Sequence, residues 1–179
     1  MITKVINEKE ISTETDQKIK QGLCICFPDN YDFFSTSRAW NGVSPEFSVV
    51  GFENGDIVAH AGVIRREILI GDSTKLTIFG LQNVFVLPEF RGKSLLTPIM
   101  HQIEESVNER NFDCGLLFCK PKLEKVYSKY SWKKLSNRVI RIDENGQATS
   151  LKEKDIAMFF PLIISNFPKG NINLQGREW

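Results

Sequence analysis

The stretch Asn83-Val-Phe-Val-Leu-Pro-Glu-Phe-Arg-Gly-Lys-Ser-Leu-Leu96 reads as a strand, a short turn and a basic glycine loop at the head of a helix. A loop so placed turns free backbone N–H groups outward at the positive end of a helix dipole, which suits an anion. Arg91 and Lys93 add formal charge, so a phosphate-bearing ligand fits. Two nucleotide readings fail. A P-loop would need a further glycine where Leu87 stands, and the lone Gly92 does not make a G-x-G-x-x-G fingerprint. Metal chemistry has little to work with. Cys24, Cys26, Cys114 and Cys119 contain no C-x-x-C pair, and only His60 and His101 could join them. They read as reduced core cysteines, and no metal is expected.

The elements that must position this loop follow from periodicity. A short strand over 3–7 precedes a helix over 13–25, with Ser12 or Thr13 as N-cap and Glu14 and Asp16 in its first turn. Pro28-Asp-Asn30 ends it, and the aromatic run 31–45 holds a short helix and a loop. Phe47–Glu53 and Asp56–Ile70 read as strands joined by Asn54-Gly55, a hairpin signal; Gly71-Asp72-Ser73 then turns the chain into a third strand over 75–87. A helix over 94–110 carries Leu95, Ile99, Ile103 and Val107 as one stripe, although Thr97-Pro98 would also serve as N-cap and N1 of a later start. Cys114–Cys119 is continuously apolar, as a strand covered on both faces would be. A helix over 122–130 groups Leu123, Val126, Tyr127 and Tyr130, a strand follows over 134–142, and from 151 an apolar run leads into a loop-like end. Antiparallel strands in series, then strand–helix–strand, give a mixed α/β (α+β) fold on one central sheet.

With 179 residues, 41% of them hydrophobic, the chain can bury a core and keep a cleft. A net charge of +1 argues against a nucleic-acid partner and makes any basic site local. No apolar run approaches membrane-spanning length, and Met1-Ile-Thr-Lys-Val5 lacks the apolar core of a signal peptide. A cytoplasmic protein without a membrane partner is expected.

Val84 to Leu96 resembles the acyl-CoA loop of the GNAT (GCN5-related) N-acetyltransferase superfamily, Gln/Arg-x-x-Gly-x-Gly/Ala after a valine-rich strand and Pro-Glu-aromatic. Arg91 matches the first position, while Ser94 and Leu96 stand at the two later small positions. Tyr127-Ser-Lys-Tyr-Ser-Trp132 is similar to the family's Tyr-x-Lys-x-Gly-Phe/Trp, with Ser131 for glycine. The two blocks have the family's spacing, a helix and a strand apart. Ser37-Arg-Ala-Trp-Asn-Gly-Val-Ser-Pro-Glu46 and Val58-Ala-His-Ala-Gly-Val-Ile-Arg-Arg66 resemble the NodA-type N-acyltransferases, which acylate chitooligosaccharides. The Val-Ala-His-Ala region is also similar to aminoglycoside 2′-N-acetyltransferases.

The resemblance implies a GNAT fold: a mixed, mostly antiparallel central sheet flanked by helices, with an acyl-CoA cleft between splayed strands. It implies one domain over 1–179, made of a helical acceptor-side region (1–46), the core sheet and CoA-binding unit (47–142) and a C-terminal strand and tail (151–179). The activity implied is transfer of an acyl group, most simply from acetyl-CoA but also from another acyl-CoA, to a small-molecule primary amine of an amino sugar or aminoglycoside. Attack is direct, in a ternary complex. Backbone N–H groups of Arg91, Gly92, Lys93, Ser94, Leu95 and Leu96 would hold the pyrophosphate, and Val84, Phe85 and Val86 would offer main-chain groups to the pantetheine arm. Tyr127 would protonate the leaving thiolate, since a phenol stays protonated at neutral pH and donates where negative charge grows; a core tyrosine is the alternative. Many relatives place a basic glutamate where this chain has Gln82, which can orient a group but cannot take a proton. His60, with Val58 and Ile64 on its strand face, has the pKa range of a base, while a core histidine or a bound water in that role stay open. Asp32, Arg38, Trp40 and Glu46 could line the acceptor side. Phe160, Phe167 and Trp179 would close the cleft or form a homodimer. The NodA likeness adds a longer acyl chain on an acyl carrier protein. The departures at Ser94, Leu96, Ser131 and Gln82 add a degenerate domain that binds acyl-CoA without catalysis.

Overall fold

A computed structural model describes residues 1–71, 73–151 and 154–179; Asp72, expected in a turn, lies outside the described residues. The chain groups into two compact units. One holds Met1–Trp40, Ser44–Ile64 and Gln82–Ser106; the other holds Asn41–Val43, Arg65–Leu81 and Val107–Trp179.

The first unit contains β1 (Ile2–Asn7), α1 (Thr13–Cys26), α2 (Tyr31–Thr36), β2 (Phe47–Glu53), the start of β3 (Asp56–Ile70), the end of β4 (Thr74–Val86) and most of α3 (Leu96–Asn108). β1 pairs antiparallel with β2, and β2 with β3. The β2–β3 turn is the expected hairpin, with Asn54 at φ 52° and Gly55 at φ 89°, the two positive angles that match strand twist. α1 starts where Ser12 Oγ accepts the Thr15 N–H at 3.2 Å. Its buried face, Ile19, Gly22 and Leu23, packs with Phe34, Val50, Ile57 and Phe85. Gly22 is required there, because a Cβ would stand 2.4 Å from the Phe85 ring. α3 begins at Leu96 rather than at 94. Ser94 has φ 56°, which no helix accommodates, and the Thr97 N–H bonds back to the Ser94 carbonyl at 3.0 Å. Pro98 then falls in the first turn, where no intrahelical donor is needed.

The second unit adds β5 (Cys114–Cys119), α4 (Glu124–Ser128), β6 (Lys133–Lys134), β7 (Val139–Ile142), β8 (Ala148–Ser150), β9 (Ile156–Pro161) and β10 (Ile172–Asn173). The strand order is β6-β9-β5-β4-β3-β10-β7-β8. β4 and β5 run parallel, as strand–helix–strand requires, and so do β10 and β7. β5–β9, β6–β9, β10–β3 and β7–β8 are antiparallel, so the sheet is mixed and mostly antiparallel as expected. The strand expected over 134–142 is two strands. Leu135 still bonds to Ala157 of β9, after which Asn137 donates to the carbonyls of Pro168 and Gly170 at 3.1 and 2.8 Å and carries the chain over to β10. The apolar run after 156 is β9, which pairs with both β5 and β6. The helix expected over 122–130 is only α4. It follows a single 3-10 turn at Pro121–Leu123, and Ser131 at φ 65° turns the chain away from it.

Candidate functional site

The loop stands ahead of α3, whose Ile99, Met100 and Ile103 are buried. Gly92 (φ 78°) and Ser94 (φ 56°) are left-handed on either side of Lys93, an alternation that gathers successive N–H groups into an anion-binding concavity. Among the described residues, the N–H groups of Gly92, Ser94, Leu95 and Leu96 make no hydrogen bond, while Arg91 and Gly92 form a turn that closes on Lys93. Glycine meets this geometry freely; Ser94, at a position where the family pattern has a small residue, adopts it at a cost of about 1–2 kcal/mol. The charged side chains are used differently from the sequence expectation. Arg91 turns back onto its own unit: its Nε donates to the Val86 carbonyl at 3.1 Å, and Nη2 lies 3.8 Å from Cys26 Sγ. It braces the loop instead of reaching outward. Burial raises the Cys26 thiol pKa, although Arg91 opposes that, so Cys26 stays a thiol whose S–H donates toward the Val86 carbonyl at 3.7 Å. The Lys93 ammonium sits over the Phe90 ring, 4.9 Å from its centre.

The strand leading into the loop contains a turn that sequence reasoning missed. Asn83, inside β4, has φ 55°, and such a residue bends a strand out of its pleat. Its side-chain amide donates to the Arg38 carbonyl at 2.7 Å. Phe85 points into the core against Gly22, while Val84 and Val86 are half-buried. Gln82 is buried at 4% exposure. His60, on β3, is fully buried. Its Nδ1 lies 2.8 Å from the Asn83 carbonyl and its Nε2 3.1 Å from Ser48 Oγ, and its ring stacks on Phe85 at 5.6 Å. Burial pushes its pKa down to about 3, against a lift from the Asn83 carbonyl and with a further push down from Arg38. With both nitrogens bonded inside the protein and no exposed surface, His60 has nothing left to take a proton from a substrate amine. The only sequence signal for this network was an asparagine, a residue that tolerates the left-handed region, within an apolar strand.

Arg38 does not line an open surface. It is 6% exposed and bound to Glu8 and, at 2.6 Å, to Asp16. Asp16 is held below the usual carboxylate range: burial alone would raise it, and Lys20 and Arg38 together outweigh that. Trp40 stacks on Phe34 at 5.2 Å as part of a hydrophobic cap, and Asp32 is exposed.

In the second unit, Tyr127 of α4 is 8% exposed and its ring lies 6.4 Å from Trp132, edge to face. Trp132 in turn packs on Phe79 and Phe160 at 5.7 and 5.4 Å. Ser131 holds the left-handed angle that the family pattern fills with glycine, and so brings Trp132 under Tyr127. The Tyr127 hydroxyl has no hydrogen-bond partner among the described residues. Burial, and beyond it the Cys119 thiol, raise its pKa. It is therefore a protonated donor at any physiological pH. A phenol raised in this way gives up its proton reluctantly and serves best by donating a hydrogen bond where charge grows.

Among the described residues, no three His, Cys, Asp or Glu side chains are grouped to hold a metal ion, and no helix is long and apolar enough to cross a membrane. A sequence model of the acetyltransferase (GNAT) domain matches residues 9–135. Nodulation protein A of Bradyrhizobium sp. (strain NC92) is 32% identical over 92 residues, which is 51% of this chain and 43% of that protein. The chain thus spans less than half the length of that relative. An aminoglycoside 6′-N-acetyltransferase crystallised with coenzyme A superposes with a TM-score of 0.66 at 16% identity, over 94% of this chain and 100% of the other. Escherichia coli ElaA superposes with a TM-score of 0.62 at 16% identity, over 89% and 98%. At such identities the two structures speak for the fold alone.

Proposed function

The chain belongs to the GNAT acetyltransferase family, and on that footing we propose that it is an N-acyltransferase moving an acyl group, most simply acetyl, from acyl-CoA to a primary amine of an amino sugar or aminoglycoside. The observation that carries the reading is the set of amides at Gly92, Ser94, Leu95 and Leu96 ahead of α3 that make no hydrogen bond among the described residues, a cradle for a pyrophosphate. The main chain of Val84, Phe85 and Val86 receives the pantetheine arm. The amine nitrogen attacks the thioester carbon, the C–S bond breaks, and the Tyr127 hydroxyl donates to the departing sulfur. With His60 occupied internally and Gln82 unable to accept a proton, the proton lost by the amine goes to water. Residues 1–179 act as one catalytic domain.

A second donor is favoured by one feature. Lys122, Lys125, Lys129 and Lys133 around Tyr127 are exposed and make no ion pair with a carboxylate among the described residues, whereas Lys120 and Lys134 are paired with Asp155 and Glu124. Such a basic face would meet the acidic surface of an acyl carrier protein bearing a longer chain.

Thiol release from acetyl-CoA, measured over a panel of amino sugars and aminoglycosides, tests the reading. Turnover with at least one amine is expected, together with a raised Tm when CoA is added. Absence of any stabilisation by acetyl-CoA or longer acyl-CoAs would remove the acyl-CoA assignment; stabilisation without turnover on any amine would leave a binding domain.

A further inference from the structure

We propose that His60 is a positioning residue: it holds the left-handed turn at Asn83 and thereby sets the main-chain groups of residues 83–86 for the acyl-CoA arm. The role of that arm rests on the function proposed above; the tether itself does not. A neutral imidazole has one donor and one acceptor nitrogen. The Asn83 carbonyl, 2.8 Å from Nδ1, can only accept, so Nδ1 carries the hydrogen. Nε2 then accepts from the Ser48 hydroxyl at 3.1 Å. The ring also stacks on Phe85 at an interplanar angle of 27°, so it holds the strand on both sides of Val84. From the other side the Asn83 side chain is tied to the Arg38 carbonyl, and Arg38 is fixed in turn by Glu8 and Asp16. A non-glycine residue at φ 55° inside a strand persists only where its surroundings over-determine it. Here β3, through His60, and the segment at Arg38 both bond to that one residue, and β2 holds His60 through Ser48. The strand it bends is the one that runs into the Arg91 loop, and Arg91 itself is braced on Val86, three residues beyond the turn.

His60→Phe keeps a ring against Phe85 and removes both hydrogen bonds. Two readouts decide the case. In the ligand-free protein, the backbone chemical shifts of Asn83 should leave the left-handed range. By calorimetry, CoA affinity should fall about tenfold, the equivalent of one lost buried hydrogen bond. Adding Asn83→Gly should recover affinity to within about threefold of the wild type, because glycine takes the turn without a tether. A purely structural histidine would lower Tm without that rescue. Unchanged Asn83 shifts in His60→Phe, or no recovery on adding Asn83→Gly, would overturn the inference. Should His60→Phe fail to fold, Asn83→Val against Asn83→Gly asks the same question, since valine resists the left-handed region; equal CoA affinities would overturn it. A wild type that does not bind CoA would sink the function proposed above, while the ligand-free shifts would still decide the tether.

Discussion

His60 and Tyr127 are both buried titratable side chains, and each was a candidate for proton transfer, His60 by residue type and Tyr127 by its place in a motif resembling the family's. Their surroundings separate them. Every polar atom of His60 is bonded within the first unit, and burial has taken its charge away. Tyr127, in the second unit, is buried against Trp132, yet its hydroxyl has no partner among the described residues. A buried polar group that the protein satisfies is part of the frame, whereas one left with its donor open is where a ligand gains by arriving. Burial raises the pKa of the phenol and lowers that of the imidazole, so both are neutral, but only the phenol has a hydrogen left to offer.

The largest effect expected of this difference is kinetic. Tyr127→Phe should lower kcat by about a hundredfold or more, the usual worth of a positioned acid, with CoA affinity and Tm nearly unchanged. An unchanged kcat would make Tyr127 another framework residue. The pH–rate profile should show no basic limb from Tyr127, because its pKa is raised.

Next comes acid stability. The folded pKa of His60, about 3, lies below its ordinary 6.5. The unfolded chain therefore takes up a proton that the folded chain refuses. Stability from this group is complete above pH 6.5 and is lost as the pH falls from there toward 3. Urea melts between pH 7 and 4 should show this loss, on the order of a few kcal/mol at the acid end, and His60→Phe should flatten it. A smaller effect is expected at the ion pairs beneath the network: Arg38→Met should cost about 2 kcal/mol, less than a wholly buried pair would, since Glu8 and Asp16 are partly solvated. The smallest should come at Ser131, where Ser131→Gly relieves the left-handed strain and raises stability by up to about 1 kcal/mol without changing CoA affinity.

Much of this was legible from residue patterns. The Asn54-Gly55 hairpin, the Ser12 cap, the buried Cys114–Cys119 strand and the Arg91 loop follow from local chemistry, and the structure has all of them. What stayed hidden depends on contacts distant in sequence. The 134–142 run alternates like one strand, but Asn137 bonds to carbonyls some thirty residues on and divides it. Arg38 reads as an acceptor-side charge until Glu8 and Asp16 are seen around it. His60 sits on an apolar strand face that fits either a base or a core residue, and only its two partners decide. Serine at 94 and 131 looked like loss of a motif, yet both residues hold the backbone angles for which glycine is usual.

Titration of 15N-labelled protein with CoA reads out whether the amides ahead of α3 form the acyl-CoA cradle. Saturable shifts of the Gly92 to Leu96 amides are expected, with smaller ones at Val84 and Val86. Saturable binding that leaves those amides unmoved, or no binding at millimolar CoA, would contradict that cradle.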